Sequence, residues 1–86
     1  MPPIRLFTQP ECEASETARA FLRARGVEFV ELDVTASDAA LDEMTVRYRS
    51  HATPTFVIGD AVVVGFDTEQ LEGALSRAGR APDEAR

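Results

Sequence analysis

A mixed α/β sandwich, β-α-β-α-β-β-α in chain order, is the fold class this sequence predicts. Three observations lead to it. A strand pattern, a helix pattern and a second strand pattern follow one another between Ile4 and Val34, as in a right-handed crossover joining parallel strands. Two short branched runs, Thr55–Ile58 and Ala61–Val64, flank Gly59-Asp60, a strong hairpin signal. Three separate helical stripes of apolar residues each need a sheet face to cover them. A mixed four-stranded sheet of order 2-1-3-4 meets all three demands, with the first and third helices on one face and the second on the other.

Each element has a local reason. Ile4-Arg5-Leu6-Phe7-Thr8 is short, branched and aromatic, and stops at Gln9-Pro10. From Cys12 to Arg25, Ala14, Ala18, Phe21 and Leu22 recur at helical spacing, and Gly26 suits the left-handed position that ends a helix. Val27–Val34 alternates with apolar residues on both faces, as expected of a strand covered on each side. Thr35 and Ser37 both suit the start of a second helix, whose stripe reads Leu41, Met44, Tyr48. Tyr48 is expected to pack in the core with its hydroxyl at the edge. The last helix has the fullest start signal: Asp67 as cap, Gln70 as its reciprocal partner, and Phe66 stapled to Leu71. Leu71, Ala74, Leu75 and Ala78 form its stripe and Gly79 ends it. The chain is thus expected to be one domain, 1–86, with its core at about 3–78 and a flexible tail at 79–86.

Composition narrows the function. Nine basic residues, all arginine, stand against fifteen acidic ones, for a net charge of −6. That field opposes binding to nucleic acid or to an anionic membrane surface. No apolar run is long enough to span a bilayer, and Met1–Arg5 lacks the apolar stretch of a secretory signal, so a cytoplasmic location is expected. One cysteine and one histidine exclude an internal disulfide and fall short of a structural zinc site.

The cysteine carries the sharpest chemical reading. Cys12 falls where the first strand hands over to a helix N-terminus, whose unpaired N–H groups and dipole favour an anion such as a thiolate. A buried small hydrophobe is the competing reading of a lone cysteine. Pro10, Glu11 and Glu13 beside it argue for exposure instead. Pro54, opening the third strand, reads either as a tolerated strand-start proline or as the site of a cis bond after Thr53. His51 reads as a surface residue or a polar neighbour of the thiol, since no orienting group or oxyanion site accompanies a Cys12–His51 pair.

Taken together, Thr8-Gln9-Pro10-Glu11-Cys12-Glu13-Ala14-Ser15, Ala52-Thr53-Pro54 and Gly65-Phe66-Asp67-Thr68 resemble a glutaredoxin-type member of the thioredoxin superfamily. The likeness is to the small glutaredoxin and NrdH-redoxin branch and covers roughly residues 3–78. The resemblance implies a thioredoxin-like fold and a thiol–disulfide oxidoreductase. It places the nucleophile at Cys12 and the resolving-cysteine position at Ser15. It implies a cis Pro54, with the Thr53 backbone docking a peptide-like thiol, and Gly65, Phe66, Asp67 and Thr68 lining the far side of the cleft. Gln9 stands near the cysteine where many members carry a lysine.

The departures redirect the chemistry. Serine at 15 cannot close a disulfide, so an outside thiol must reset Cys12. It suits either a natural monothiol form or an engineered Cys-to-Ser form of a dithiol redoxin. Glu11, Glu13 and Glu16 oppose an anionic co-substrate, and Phe66 matches the Gly-Phe form of redoxins served by thioredoxin reductase. The expected partners are therefore protein disulfides or mixed disulfides, with glutathione or another low-molecular-weight thiol, or thioredoxin reductase, as the resetting partner. No tightly bound cofactor and no metal are expected. Two other classes fit the same resemblance: an iron–sulfur carrier of the monothiol glutaredoxin kind, and a non-enzymatic adaptor on a thioredoxin fold.

Overall fold

Strand β1 (Ile4–Thr8) lies inside the sheet, flanked by β2 (Phe29–Asp33) and β3 (Thr55–Ile58), with β4 (Ala61–Val64) outermost. The computed structural model describes residues 3–79, so the tail expected beyond Gly79 lies outside the described residues. β1 and β2 run parallel, with Ile4 opposite Phe29 and Thr8 opposite Asp33. β3 is antiparallel to β1 and β4 to β3, giving the expected order 2-1-3-4. Gly59 turns the hairpin at φ +58, a conformation that glycine adopts without a Cβ clash.

The alternation of β1 divides its side chains between two cores. Ile4 and Leu6 join Phe56, Ile58 and Val63 under helices α1 (Glu13–Ala24) and α3 (Thr68–Arg77), which contribute Ala18, Leu22, Leu71, Ala74 and Leu75. Phe7 points the other way, to Val34, Val57, Ala40 and Met44, beneath the second helical segment. Burying a large apolar side chain contributes roughly 1.5–3 kcal/mol, so these two clusters hold the sandwich together. The helices thus divide between the faces as the stripes demand.

Several local expectations are corrected or narrowed. β2 is shorter than Val27–Val34, because the N–H of Val27 still donates to the carbonyl of Leu22 as α1 unwinds through Gly26. The second helix, α2 (Asp38–Asp42), continues as a π-helical turn, Glu43–Arg47, in which the N–H of Tyr48 reaches back to the carbonyl of Glu43. Ser37, not Thr35, caps α2 by accepting from the N–H of Ala40; Thr35 instead donates to the Asp33 carboxylate. With that start, Ala40 and Met44 face the sheet and Leu41 is 40% exposed. Glu43, on the same side, makes two bonds to Arg5 at 2.6 and 2.7 Å. Tyr48 keeps its expected place, tilted against Phe7. At α3, Asp67 accepts from the N–H of Gln70 as expected, but the Gln70 side chain donates to the Asp67 carboxylate instead of accepting from the Asp67 backbone N–H. Phe66 packs against the cluster that contains Leu71.

Candidate active site

Three connections meet at the end of the sheet where β1 stops and β3 begins. The first leads from β1 through Gln9 and Pro10 into α1. Glu11 adopts φ +62, a strained value for a non-glycine residue, and delivers Cys12 in an extended conformation to the cap position of α1. The second is the loop Arg49–Pro54, which leaves the π-helical turn through Arg49 at φ +57. These are the two non-glycine residues with positive φ among the described residues, and both lie on the loops that bring the site together. The third, Gly65–Asp67, joins β4 to α3.

Their junction is specific. The Thr53–Pro54 bond is cis. The Cys12 thiol donates to the carbonyl of Thr53 at 3.9 Å, and the Thr53 hydroxyl donates to the Cys12 sulfur at 3.7 Å. The Gly65 N–H donates to the carbonyl of Pro54 at 2.8 Å, tying the third connection to the second. Phe66 is held edge-on against Phe21 of α1, with centroids 5.4 Å apart. Cys12 itself is half-buried, while Gln9, Pro10, Glu11 and Glu13 are exposed around it.

Several influences hold the Cys12 thiol below the ordinary thiol range. The Ser15 hydroxyl is the largest, followed by the Ser15 N–H; partial burial opposes them, and the Thr53 hydroxyl and the Ala14 N–H add to them. All that lower it are hydrogen-bond donors. Cys12 occupies the cap position, so an ionised sulfur accepts the free N–H groups of the first turn as a capping side chain would. Ser15 is fully buried, and its hydroxyl has no hydrogen-bond partner in the thiol state among the described residues. An unpaired buried hydroxyl costs roughly 1–3 kcal/mol, and this one stands in the first turn of the helix that Cys12 caps.

The remaining sequence-predicted residues divide. Thr53, Pro54 and Gly65 are linked to Cys12 or to one another by the contacts above, whereas Phe66 is held against Phe21 of α1. Asp67 and Thr68 open α3, and the Asp67 carboxylate is engaged by Gln70, which holds it below the usual carboxylate range. The Gly65 N–H is taken by Pro54, so it is not among the donors the turn offers to a ligand. Gln9 is exposed and has no hydrogen bond to the sulfur among the described residues, and His51 is exposed. Among the described residues no cluster of three or more metal-ligating side chains occurs, and no helix is long and apolar enough to cross a membrane.

Sequence reasoning missed the supports. Ser50 and Thr55 are buried and share a 2.7 Å hydroxyl contact; Thr55 also donates to the carbonyl of Ala52 at 2.6 Å, fixing the loop that carries Thr53. Thr8, at the end of β1, donates to Glu31, which is held by two bonds from Arg19 of α1. Small hydroxyl residues flanking Thr53-Pro54 were the sole available hint.

Comparison with known proteins supplies relatives for this arrangement. A family model described as Glutaredoxin matches residues 4–63. The Gene 56 protein of Mycobacterium phage L5 is 30% identical over 71 residues, covering 81% of this chain and 69% of that protein. The crystal structure of the thioredoxin-like protein BC3987 superposes with a TM-score of 0.80 at 38% identity, covering 84% of this chain and 99% of that one. The glutaredoxin-like protein NrdH-redoxin from Escherichia coli gives a TM-score of 0.72 at 20% identity, covering 81% and 91%.

Proposed function

The chain belongs to the glutaredoxin family, and we propose that it is a thiol–disulfide oxidoreductase working through Cys12 as its sole nucleophile. The observation that carries this reading is the placement of a half-buried thiol at the cap of α1, with hydrogen-bond donors holding it toward the thiolate. In the proposed cycle the Cys12 thiolate attacks one sulfur of a disulfide. The new bond joins Cys12 to that sulfur, the old S–S bond breaks, and the other sulfur leaves as a thiolate that takes a proton from water. The backbone of Thr53, beside the cis Pro54, orients an extended partner. Ser15 cannot displace the partner. A second, external thiolate attacks the mixed disulfide, takes the partner's sulfur into a new disulfide, and returns Cys12 to its thiolate.

Glutathione, another small thiol or a reductase could serve as that resetting partner, acting on protein disulfides or mixed disulfides. The test supplies a protein mixed disulfide with glutathione and its reductase, or separately with thioredoxin reductase, and follows NADPH. The expected result is consumption by the intact chain in one of the two systems and the uncatalysed rate from Cys12→Ala. Folded intact chain and folded Ser15→Cys that both stay at the uncatalysed rate in each system would overturn the reading in favour of a binding adaptor.

A further inference from the structure

We propose that the Thr53 side chain, and not only its backbone, is part of the site: its hydroxyl is a second hydroxyl donor to the reacting sulfur, paired with that of Ser15. The thiolate is then cradled by two neutral hydroxyls in place of a cation. The inference rests on Cys12 being the reactive group of the proposed function.

Geometry is the first support. Thr53 Oγ1 stands 3.7 Å from Cys12 Sγ, within hydrogen-bond range for sulfur. Among the described residues this is its one hydrogen bond, whereas the neighbouring hydroxyls of Ser50 and Thr55 are committed to each other and to the carbonyl of Ala52. The second support is the orphaned Ser15 hydroxyl, fully buried in the first turn of the helix that Cys12 caps and without a hydrogen-bond partner among the described residues. On ionisation the thiol loses its bond to the Thr53 carbonyl, and the sulfur becomes an acceptor only. The carbonyl then faces a negative sulfur at 3.9 Å, and the hydroxyl of the same residue offsets that repulsion.

No cation is among the groups that lower the pKa of the Cys12 thiol; all of them are hydrogen-bond donors. The chain has no lysine. Arg5, Arg19 and Arg25 are engaged by Glu43, Glu31 and Glu72, and Arg47 lies over Tyr48. The charged groups on Cys12's own segment are Glu11, Glu13 and Glu16, with Arg19 and Arg23 further along α1. Arg49 and His51 lie on the loop before β3, and Asp67 and Glu69 at the start of α3. Carboxylates outnumber cations there, a balance that disfavours a thiolate. Donors in direct reach of the sulfur must overcome it.

Full-length Thr53→Val and Thr53→Ser test this by titrating the ultraviolet thiolate absorbance of Cys12. Valine keeps the shape and removes the donor; serine keeps the donor and removes a methyl group. The expected result is an upward move of the inflection by about one pH unit in Thr53→Val, from the strength of a hydrogen bond to a charged group. Thr53→Ser is expected to stay within a small fraction of that shift. An unmoved inflection in folded Thr53→Val, or equal shifts in both variants, would overturn the proposal. So would a rise of the intact chain's inflection with added salt, since that is the mark of a cation holding the thiolate. The titration reads ionisation whether or not exchange occurs. Failure of the oxidoreductase reading, which shows as absent turnover, is therefore distinguishable from failure of this one.

Discussion

Ser15 combines a stability cost with a chemical use. Its hydroxyl is buried without a partner in the thiol state, in the first turn of α1, a position where alanine satisfies the helix better. Ser15→Ala is therefore expected to stabilise the chain by roughly 1 kcal/mol at mildly acidic pH, where Cys12 is neutral, as read by chemical denaturation. The same change removes the largest influence lowering the Cys12 pKa. Exchange rates should rise with pH and level off above that pKa, and in Ser15→Ala the plateau should begin at higher pH. A destabilised variant with an unshifted profile would show that the hydroxyl is an ordinary structural serine. Ser15 is fully buried, so its hydroxyl lacks the water that satisfies a serine exposed in a first turn.

At the scale of the element, the start of α3 shows how a cap and a site rim share one residue. Asp67 accepts from both the N–H and the side-chain amide of Gln70. These bonds lower its pKa, so their stabilisation is present above the unfolded carboxylate value and is lost as pH falls through the folded one. Asp67→Ala should lower Tm by a few degrees near neutral pH, and the difference should shrink in acid as Asp67 in the intact chain is protonated. A Tm difference that persists unchanged in acid would assign the effect to packing of the turn. The π-helical turn after α2 is the element that the sequence hid. Nothing in Glu43-Met44-Thr45-Val46-Arg47 distinguishes it from ordinary helix. The widened turn is followed by Arg49 at positive φ, and together they bring the chain back to present Thr53 to the sulfur.

Across the whole molecule, net charge sets the approach of small partners. Fifteen acids against nine arginines give a negative field, and Glu11, Glu13 and Glu16 concentrate it beside the sulfur. Glutathione is itself an anion at neutral pH. Its reaction with Cys12 is expected to be slow in dilute buffer and to quicken roughly several-fold at physiological ionic strength, where screening acts over about 8 Å. Stopped-flow rates against salt check this; a fast reaction indifferent to salt would contradict the electrostatic account.

The sheet order, the division of helices between its faces and the exact ends of β1, β3 and β4 were legible in the sequence. Period-two and helical patterning, Gly59 and the Asp67 cap are local signals that act over a few residues. Cys12 and Pro54 were legible as candidates for the same reason, each marked by residue type and position at an element boundary, whereas Ser15 and Thr53 entered through the family resemblance. What the tertiary structure alone decided is everything that depends on which groups meet. The alliance of Ser50 with Thr55, the capture of the Gly65 N–H by Pro54 and the Thr53 hydroxyl at the sulfur join segments distant in sequence or competing for the same donors. Hydrogen bonds act over a few ångströms, and only the folded chain brings the Thr53 hydroxyl to 3.7 Å from the Cys12 sulfur.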